Sequence, residues 1–584
     1  MFKAGISFLI IPIAGAITSI YLLGIIQAEV DIDLVYLCSL SFSELSREFS
    51  NPNGVIGICN DYIKPYSLLQ NASIISFITS IAILALFRLS SSYCGTDRDK
   101  NAFIFPKLIP FTILVIAVQV LIQGLILAYL SYLIPTELLG IYLPVITFLI
   151  GGGAAIGFFQ VVISLSSFFK KPQQIQKAIV ADKENYKKLW DHVESIASNI
   201  NAKKPDNIIL GLEPTFYATS ANVKSPFGTF DLKGETLFLS IPLMKLFNEE
   251  ELNAVIGHEL GHFKAKDTNY TIKFAPVYAN IGKSIDNLAN TSSGATALAK
   301  LPAILVLSAM YEAFSTNIAS ISRDREFEAD KVGCEASSKE GLVYSLAKVV
   351  TYSQLWHETL FENVNRLNKG RISTNLSNIF RESSLYNIGK RDINEIIEEV
   401  LPSIVQHPTD SHPPLADRYK NIDFDVNEIT KEKIISQGDS VSNLVDDIDK
   451  IEEELTREEH QYQIAIGIAV VPEKAQHDDL ADAIYLLAAA MIGADGKLEK
   501  DEVRVAEEIG ISILPEFDRV EFRIFIDSLK DIPNLDELAE TYKNFDDNNK
   551  SIIYSYLEAI ANADNDFDES EKQMLEKVKK IWSI

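Results

Sequence analysis

Four long stretches without a charged residue dominate the first third of the chain: Ala4 to Ala28, Pro65 to Phe87, Leu108 to Thr136 and Leu138 to Phe169. A helix of about 20 apolar residues crosses a bilayer, so each run predicts one crossing, and the first reads as an uncleaved anchor rather than a signal peptide. Pro110 and Gly151 to Gly153 mark bends or close helix contacts within the last two runs. Beyond them the pattern changes to that of a water-facing fold. Trp190, Val193 and Ile196 line one face of a helical stretch between Gln173 and Ile200, and Ile208 to Leu212, Phe216 to Ser220 and Thr236 to Ile241 read as short strands. Leu252, Val255 and Ile256 make the apolar stripe of a further helix. Leu301 to Phe314 is semi-apolar, short and interrupted by Glu312, which predicts a buried or membrane-surface helix, although an even number of crossings stays open. Residues 364 to 391 read as a loop leading to a helix at Asp392 to Val400; a charged linker over 426–465 contains a helix at Val441 to Glu458, and Leu480 to Trp582 is helix-rich.

Composition sharpens this picture. The 584 residues are 47% hydrophobic yet carry a formal charge of -26, so apolar and acidic residues are segregated between the two ends. Phosphates would be repelled, which argues against nucleic acid. Arg88, Arg98, Lys100 and Lys107 follow the second run, and Lys170 and Lys171 follow the fourth, whereas residues 29 to 64 are rich in Asp and Glu with few basic residues. The bias of basic residues predicts a cytoplasmic N-terminus and a cytoplasmic chain beyond residue 170, in an inner or plasma membrane. Cys38 and Cys59 then share an outer loop, as a disulfide or as two thiols, and the four cysteines show no metal-binding spacing.

The chemistry lies in Asn248 to Phe263, which contains His258-Glu259-Leu260-Gly261-His262. Histidines four apart on a helix share a face and reach one divalent cation, and Glu259 lies beside it as a general base. Asn248 with Glu251 three residues on, in an acidic first turn, starts the helix. A third ligand is offered by Ser322 to Asp330: Glu326 is the candidate, and Asp330, one turn later, can accept a hydrogen bond from a ligand histidine. The bland alternatives are two satisfied surface histidines and a solvated, salt-bridged helix.

Together the two segments resemble the membrane zinc endopeptidases that include the HtpX heat-shock protease and the type I CAAX prenyl endopeptidases. Leu210 to Ala218, Gly234 to Ser240 and Ser411 to Arg418 agree with the same family, over about residues 170 to 425. The resemblance implies one Zn2+ held by His258, His262 and Glu326, hydrolysis of membrane or misfolded proteins, and an edge strand that binds extended substrate, expected at Leu237, Phe238 and Leu239. His412 and Arg418 match positions near the family's cleft, which makes His412 a candidate oxyanion or substrate contact; the alternative is a capping loop with an Arg–Asp pair. In the acidic C-terminal region, Gly493 to Glu502 and Asn562 to Glu571 resemble the paired loops of the TerB tellurite-resistance fold. Asp564, Asp566 and Asp568 have calcium-loop spacing, but Glu569 and Leu575 stand where that loop needs Gly and Glu, so solvated helix caps are favoured over a cation site.

The expected architecture is a membrane α-helical region (1–170), an α+β zincin-like catalytic domain (171–425), the linker (426–465) and an all-α C-terminal domain (466–584). Its expected partners are protein or peptide substrates, the lipid bilayer and a regulatory partner through 466–584. The rival reading is a non-catalytic metal- or stress-sensing membrane scaffold, for which Glu259 has no use. Transport is disfavoured because the four runs hold no charge.

Overall fold

The structure is a computed structural model that describes the chain except residues 1, 30–32, 165–172, 264–273, 275–276, 279, 283–284, 287–294, 404–411, 437, 439–442, 473–478, 495–496, 499, 515–516, 530 and 564–568. Asp495, Glu499 and the aspartates of the second acidic loop therefore lie outside the described residues. The chain forms two compact units, Met1–Pro172 with Ala265–Asp324, and Gln173–Lys264 with Arg325–Ile584.

In the first unit, helices Phe2–Ala28, Lys64–Cys94, Arg98–Leu133 and Pro144–Ser164 form on the four uncharged runs. Gly124 lets two of them touch: a Cβ there would sit 2.3 Å from the Ala154 Cβ. Polar side chains join others, with Ser76 Oγ donating to Gln119 Oε1 at 2.7 Å. Cys38 and Cys59 form a disulfide. The semi-apolar segment Leu301 to Phe314 is longer than expected, being part of a 42-residue helix, Ala295–Ala336. From Ala303 to Val332 this helix meets neither proline nor glycine, so a single Glu312 does not break it. Its Ala303–Ala336 portion is one of five described helices long and apolar enough to cross a membrane. Met310, Phe314 and Ile321 share an apolar cluster with Phe87, Phe105 and Ile113. Asn317 Nδ2 donates to the Ser91 carbonyl at 2.7 Å.

The second unit carries the seven described strands. β1 (Gln173–Ile175), β5 (Asn222–Lys224) and β6 (Asp231–Leu232) make one sheet, and β2 (Ile179–Val180), β3 (Asn207–Gly211), β7 (Thr236–Ser240) and β4 (Tyr217–Thr219) the other, each in that spatial order. The expected substrate edge is corrected here. Leu237, Phe238 and Leu239 lie in β7, an interior strand paired with β3 on one side and β4 on the other. All five β7 residues are buried, and such a run without polar alternation marks a strand covered on both faces; the edge beside it is β4.

Leu237, Leu239 and Leu210 pack with Trp190 and Val193 of helix Lys187–Asn199 and with Leu252, Ile256 and Leu260 of helix Glu249–Gly261. Helix Lys339–Asn368 completes that core through Leu342, Leu346 and Val350. Residues 376–390, expected as loop, form a helix capped by Asn375, whose side chain accepts the Asn378 N–H. Its buried face includes Ser377, Ser383 and Ser384, which blurs the apolar period. The expected linker helix is Ile448–Ala465; Ile451 and Leu455 enter the same core, and its buried Glu452 accepts from Lys245 Nζ at 2.7 Å. From Asp479 onward every described element is a helix, and Leu487, Phe522, Tyr556 and Trp582 form a separate apolar core.

Candidate metal centre

Helix Glu249–Gly261 starts as its sequence predicts. Asn248 Oδ1 accepts the Glu251 N–H and Glu251 Oε2 accepts the Asn248 N–H, both at 2.9 Å. Glu251 has a second duty that spacing alone does not reveal: it accepts from the fully buried Lys348 Nζ at 2.9 Å. Burial pushes the Glu251 carboxyl up and the Lys348 amine down, each opposed by the other's charge. Lys348 also donates to the carbonyls of Leu246 and Ser436, pinning the start of the helix.

Two glycines bring this helix against the one that carries Glu326. A Cβ on Gly257 would lie 2.2 Å from the Ala336 Cβ, and one on Gly333 would lie 2.8 Å from the Ala254 carbonyl oxygen. Only hydrogen fits at both contacts. Glu326 consequently stands between the histidines, with Oε2 3.5 Å from His258 Nε2 and Oε1 3.6 Å from His262 Nε2. Asp330 Oδ1 is 3.1 Å from His258 Nδ1, as the sequence suggests. Arg418 in turn donates to Asp330, Nε to Oδ2 at 3.0 Å and Nη2 to Oδ1 at 2.5 Å.

His412 comes closer than expected, its Nδ1 2.5 Å from Glu326 Oε2. His258, Glu326 and His412 each offer a ligand atom, all within 4.8 Å of one another. Two donor sets are thus available around Glu326, His258 with His262 and His258 with His412. Tetrahedral nitrogen and oxygen ligands of zinc at about 2.0–2.2 Å stand roughly 3.3–3.5 Å apart, close to each of the two histidine–Glu326 distances, which run to different oxygens of the carboxylate. The donor chemistry fits as well, since Glu326 and Asp330 crowd negative charge onto His258. Burial alone would lower that imidazole, but its hydrogen bonds to the two carboxylates outweigh it and raise the group to about 9, a demand for positive charge that a divalent cation also answers.

Glu259 sits beside this cluster. Its Oε2 accepts the Ala218 N–H of edge strand β4 at 3.0 Å, a backbone contact with no signature in the sequence. Burial pushes its carboxyl up to about 7, against the opposing charges of His258 and His412, a value suited to taking and returning protons near neutrality. Phe216, Val255, Leu346, His412 and Arg418 join His258 and Glu259 around a cavity of ≈ 10 Å³, about the least that holds one water. A wider cavity of ≈ 520 Å³, between Lys390–Ile393 and Ile429–Glu432, contains none of these residues.

Comparison with known proteins points the same way. Residues 185–424 match the model of Peptidase family M48. A protease HtpX homolog of Archaeoglobus fulgidus is 26% identical over 312 residues, covering 52% of this chain and 85% of the relative. One from Pyrobaculum aerophilum is 26% identical over 327 residues, 53% of this chain and 85% of its own. A shorter match, 32% over 123 residues, joins 20% of this chain to 41% of the homolog from Polynucleobacter necessarius subsp. necessarius. No solved structure matches. With all seven buried polar residues of the site, His258 to Arg418, inside the matched interval, these likenesses support an HtpX-like membrane metalloprotease.

Proposed function

We propose that the chain is a membrane-embedded zinc endopeptidase in which His258, His262 and Glu326 hold one zinc ion. The observation that carries this reading is the convergence of Glu326 on both histidine Nε2 atoms with a buried Glu259 alongside. Zinc, when bound, supplies the Lewis acid for the attacking water and the scissile carbonyl. Asp330 fixes the tautomer and plane of His258, and Arg418 fixes Asp330. Glu259 takes the proton of the attacking water and returns it to the leaving amine. The Ala218 N–H holds its carboxylate in place meanwhile. His412 steadies Glu326 through Nδ1 and, lining the same cavity as Glu259, is placed to donate to the developing oxyanion. β4 is the strand on which an extended substrate would add.

Substrates in this reading are membrane or misfolded proteins met on the cytoplasmic side, with the helices of the first unit in the bilayer. The Cys38–Cys59 disulfide, in the loop between the first two apolar helices, supports an oxidising compartment on the opposite side. The C-terminal helices would serve as a TerB-like regulatory or partner-binding appendage. A scaffold that merely senses metal is disfavoured because it leaves the buried Glu259 without a task. Glu259→Gln should retain zinc and lose hydrolysis, whereas His262→Ala or Glu326→Ala should lose both; a Gln variant cleaving casein at the parent rate would refute the mechanism.

A further inference from the structure

Between Gln461 and Pro472 the acidic half of the chain has twelve consecutive residues without a charge. Ile464, Ile466, Ile468, Val470 and Val471 are 44%, 48%, 57%, 68% and 37% exposed, five large aliphatic side chains within eight residues. This is an ordered turn. Gly467 takes φ +76°, which reverses the chain at the end of helix Ile448–Ala465, and the Ile468 N–H returns to the Gln463 carbonyl at 3.0 Å. Ala469 is buried, and the Val470 N–H donates to Asn368 Oδ1 at 2.7 Å, tying the turn to the end of helix Lys339–Asn368. The fold thus spends polar anchors on holding an apolar knuckle out into solvent, the opposite of what water alone favours.

We propose that this knuckle, Ile464 to Val471, inserts into the surface of the lipid bilayer and gives the catalytic unit a second membrane attachment besides its covalent tethers. Two observations select lipid as the occupant. The base of the knuckle is fastened to the strand that emerges from the membrane region: Lys177, just after β1, pairs with Glu459 at 2.6 Å and lies 4.6 Å from the Tyr462 ring. β1 begins nine residues after Ser164, the last residue of an apolar helix, so it is the first strand to follow the apolar helices in sequence. Ile175 in β1 is itself 69% exposed. Composition supplies the second argument. The turn itself carries no charge, and the charges next to it in sequence are of both signs, Arg457, Glu458 and Glu459 before it and Glu473 and Lys474 after it, so they make no basic patch for anionic headgroups and attachment is apolar, indifferent to salt and satisfied by zwitterionic lipid. The inference does not depend on whether the metal centre hydrolyses peptides.

The test uses the full chain in phosphatidylcholine nanodiscs, with Ile468→Trp read against the parent and against Ile552→Trp in the C-terminal helices. The added indole at 468 should be quenched strongly by lipid brominated on its acyl chains. Aqueous acrylamide should reach it several-fold less than the one at 552, and raised salt should change neither. Val470→Trp should repeat the result, so failure of one variant to fold does not remove the test. Bromolipid quenching no greater at 468 and 470 than at 552 overturns the proposal. So does shielding from acrylamide without bromolipid quenching, which would mean a protein neighbour, and so does shielding found only in discs that hold two copies.

Discussion

The buried polar residues of the centre form a chain of dependence in which each fixes the next. Arg418 is 1% exposed and its partner Asp330 is 0%. Arg418→Ala strands a buried carboxylate, which should cost about 3–5 kcal/mol of stability and, through His258, weaken zinc binding about 10–100-fold. Thermal unfolding and a chelator competition check both, and Arg418→Ala/Asp330→Asn should recover part of the stability because no charge is left alone. Spacing made His258, Glu259 and His262 legible, since four residues on a helix fix where imidazoles point. Asp330's hydrogen bond was legible for the same reason. The close approach of His412 to Glu326, 86 residues away in sequence, and the Ala218 N–H on Glu259 were not: one is set by tertiary folding, and the other belongs to the backbone, which every residue shares.

At the scale of elements, the site depends on how closely two helices approach. Gly257→Ala places a methyl 2.2 Å from Ala336 Cβ. The helices must part, at roughly 1–3 kcal/mol, and Glu326 withdraws from the histidines; Ala336→Gly in the same chain should restore zinc affinity, measured by competition, toward the parent value. A different junction governs acid stability. His460 Nε2 lies 3.1 Å from Asn363 Oδ1, joining helix Ile448–Ala465 to helix Lys339–Asn368, and burial holds its imidazole down at about 4. The unfolded histidine takes its proton near pH 6.5, so stability present above that pH should fall as pH drops toward 4, where the folded group protonates as well. His460→Gln should flatten melting temperature against pH across that window. The apolar strand at Thr236–Ser240 was visible as a strand but not as an interior one, because the sequence does not say what lies on either side of it. The helix at 376–390 escaped notice because its buried serines break the apolar period.

At the scale of the whole molecule, the two largest apolar cores described in the second unit are joined by charged side chains. Arg366 pairs with Glu521 and Arg371 with Asp482, while Asp527 accepts from Ser373 Oγ at 2.7 Å and the Asn375 N–H at 2.8 Å. Glu521→Lys faces a cation to the 1%-exposed Arg366 and should destabilise this seam by about 3–5 kcal/mol. Limited proteolysis should then release the C-terminal helices while zinc content stays at the parent level. The four apolar runs were legible from hydropathy alone. The continuity of Ala295–Ala336 and the burial of the expected linker helix were not, because both arise from packing partners far away in the chain. The central claim, that these partners assemble a zinc peptidase, is tested most directly by one paired measurement on the full chain: zinc stoichiometry and casein hydrolysis in the parent and in Glu259→Gln. The account predicts one zinc per chain in both and hydrolysis in the parent only; loss of zinc from the Gln variant, or undiminished cleavage by it, would contradict it.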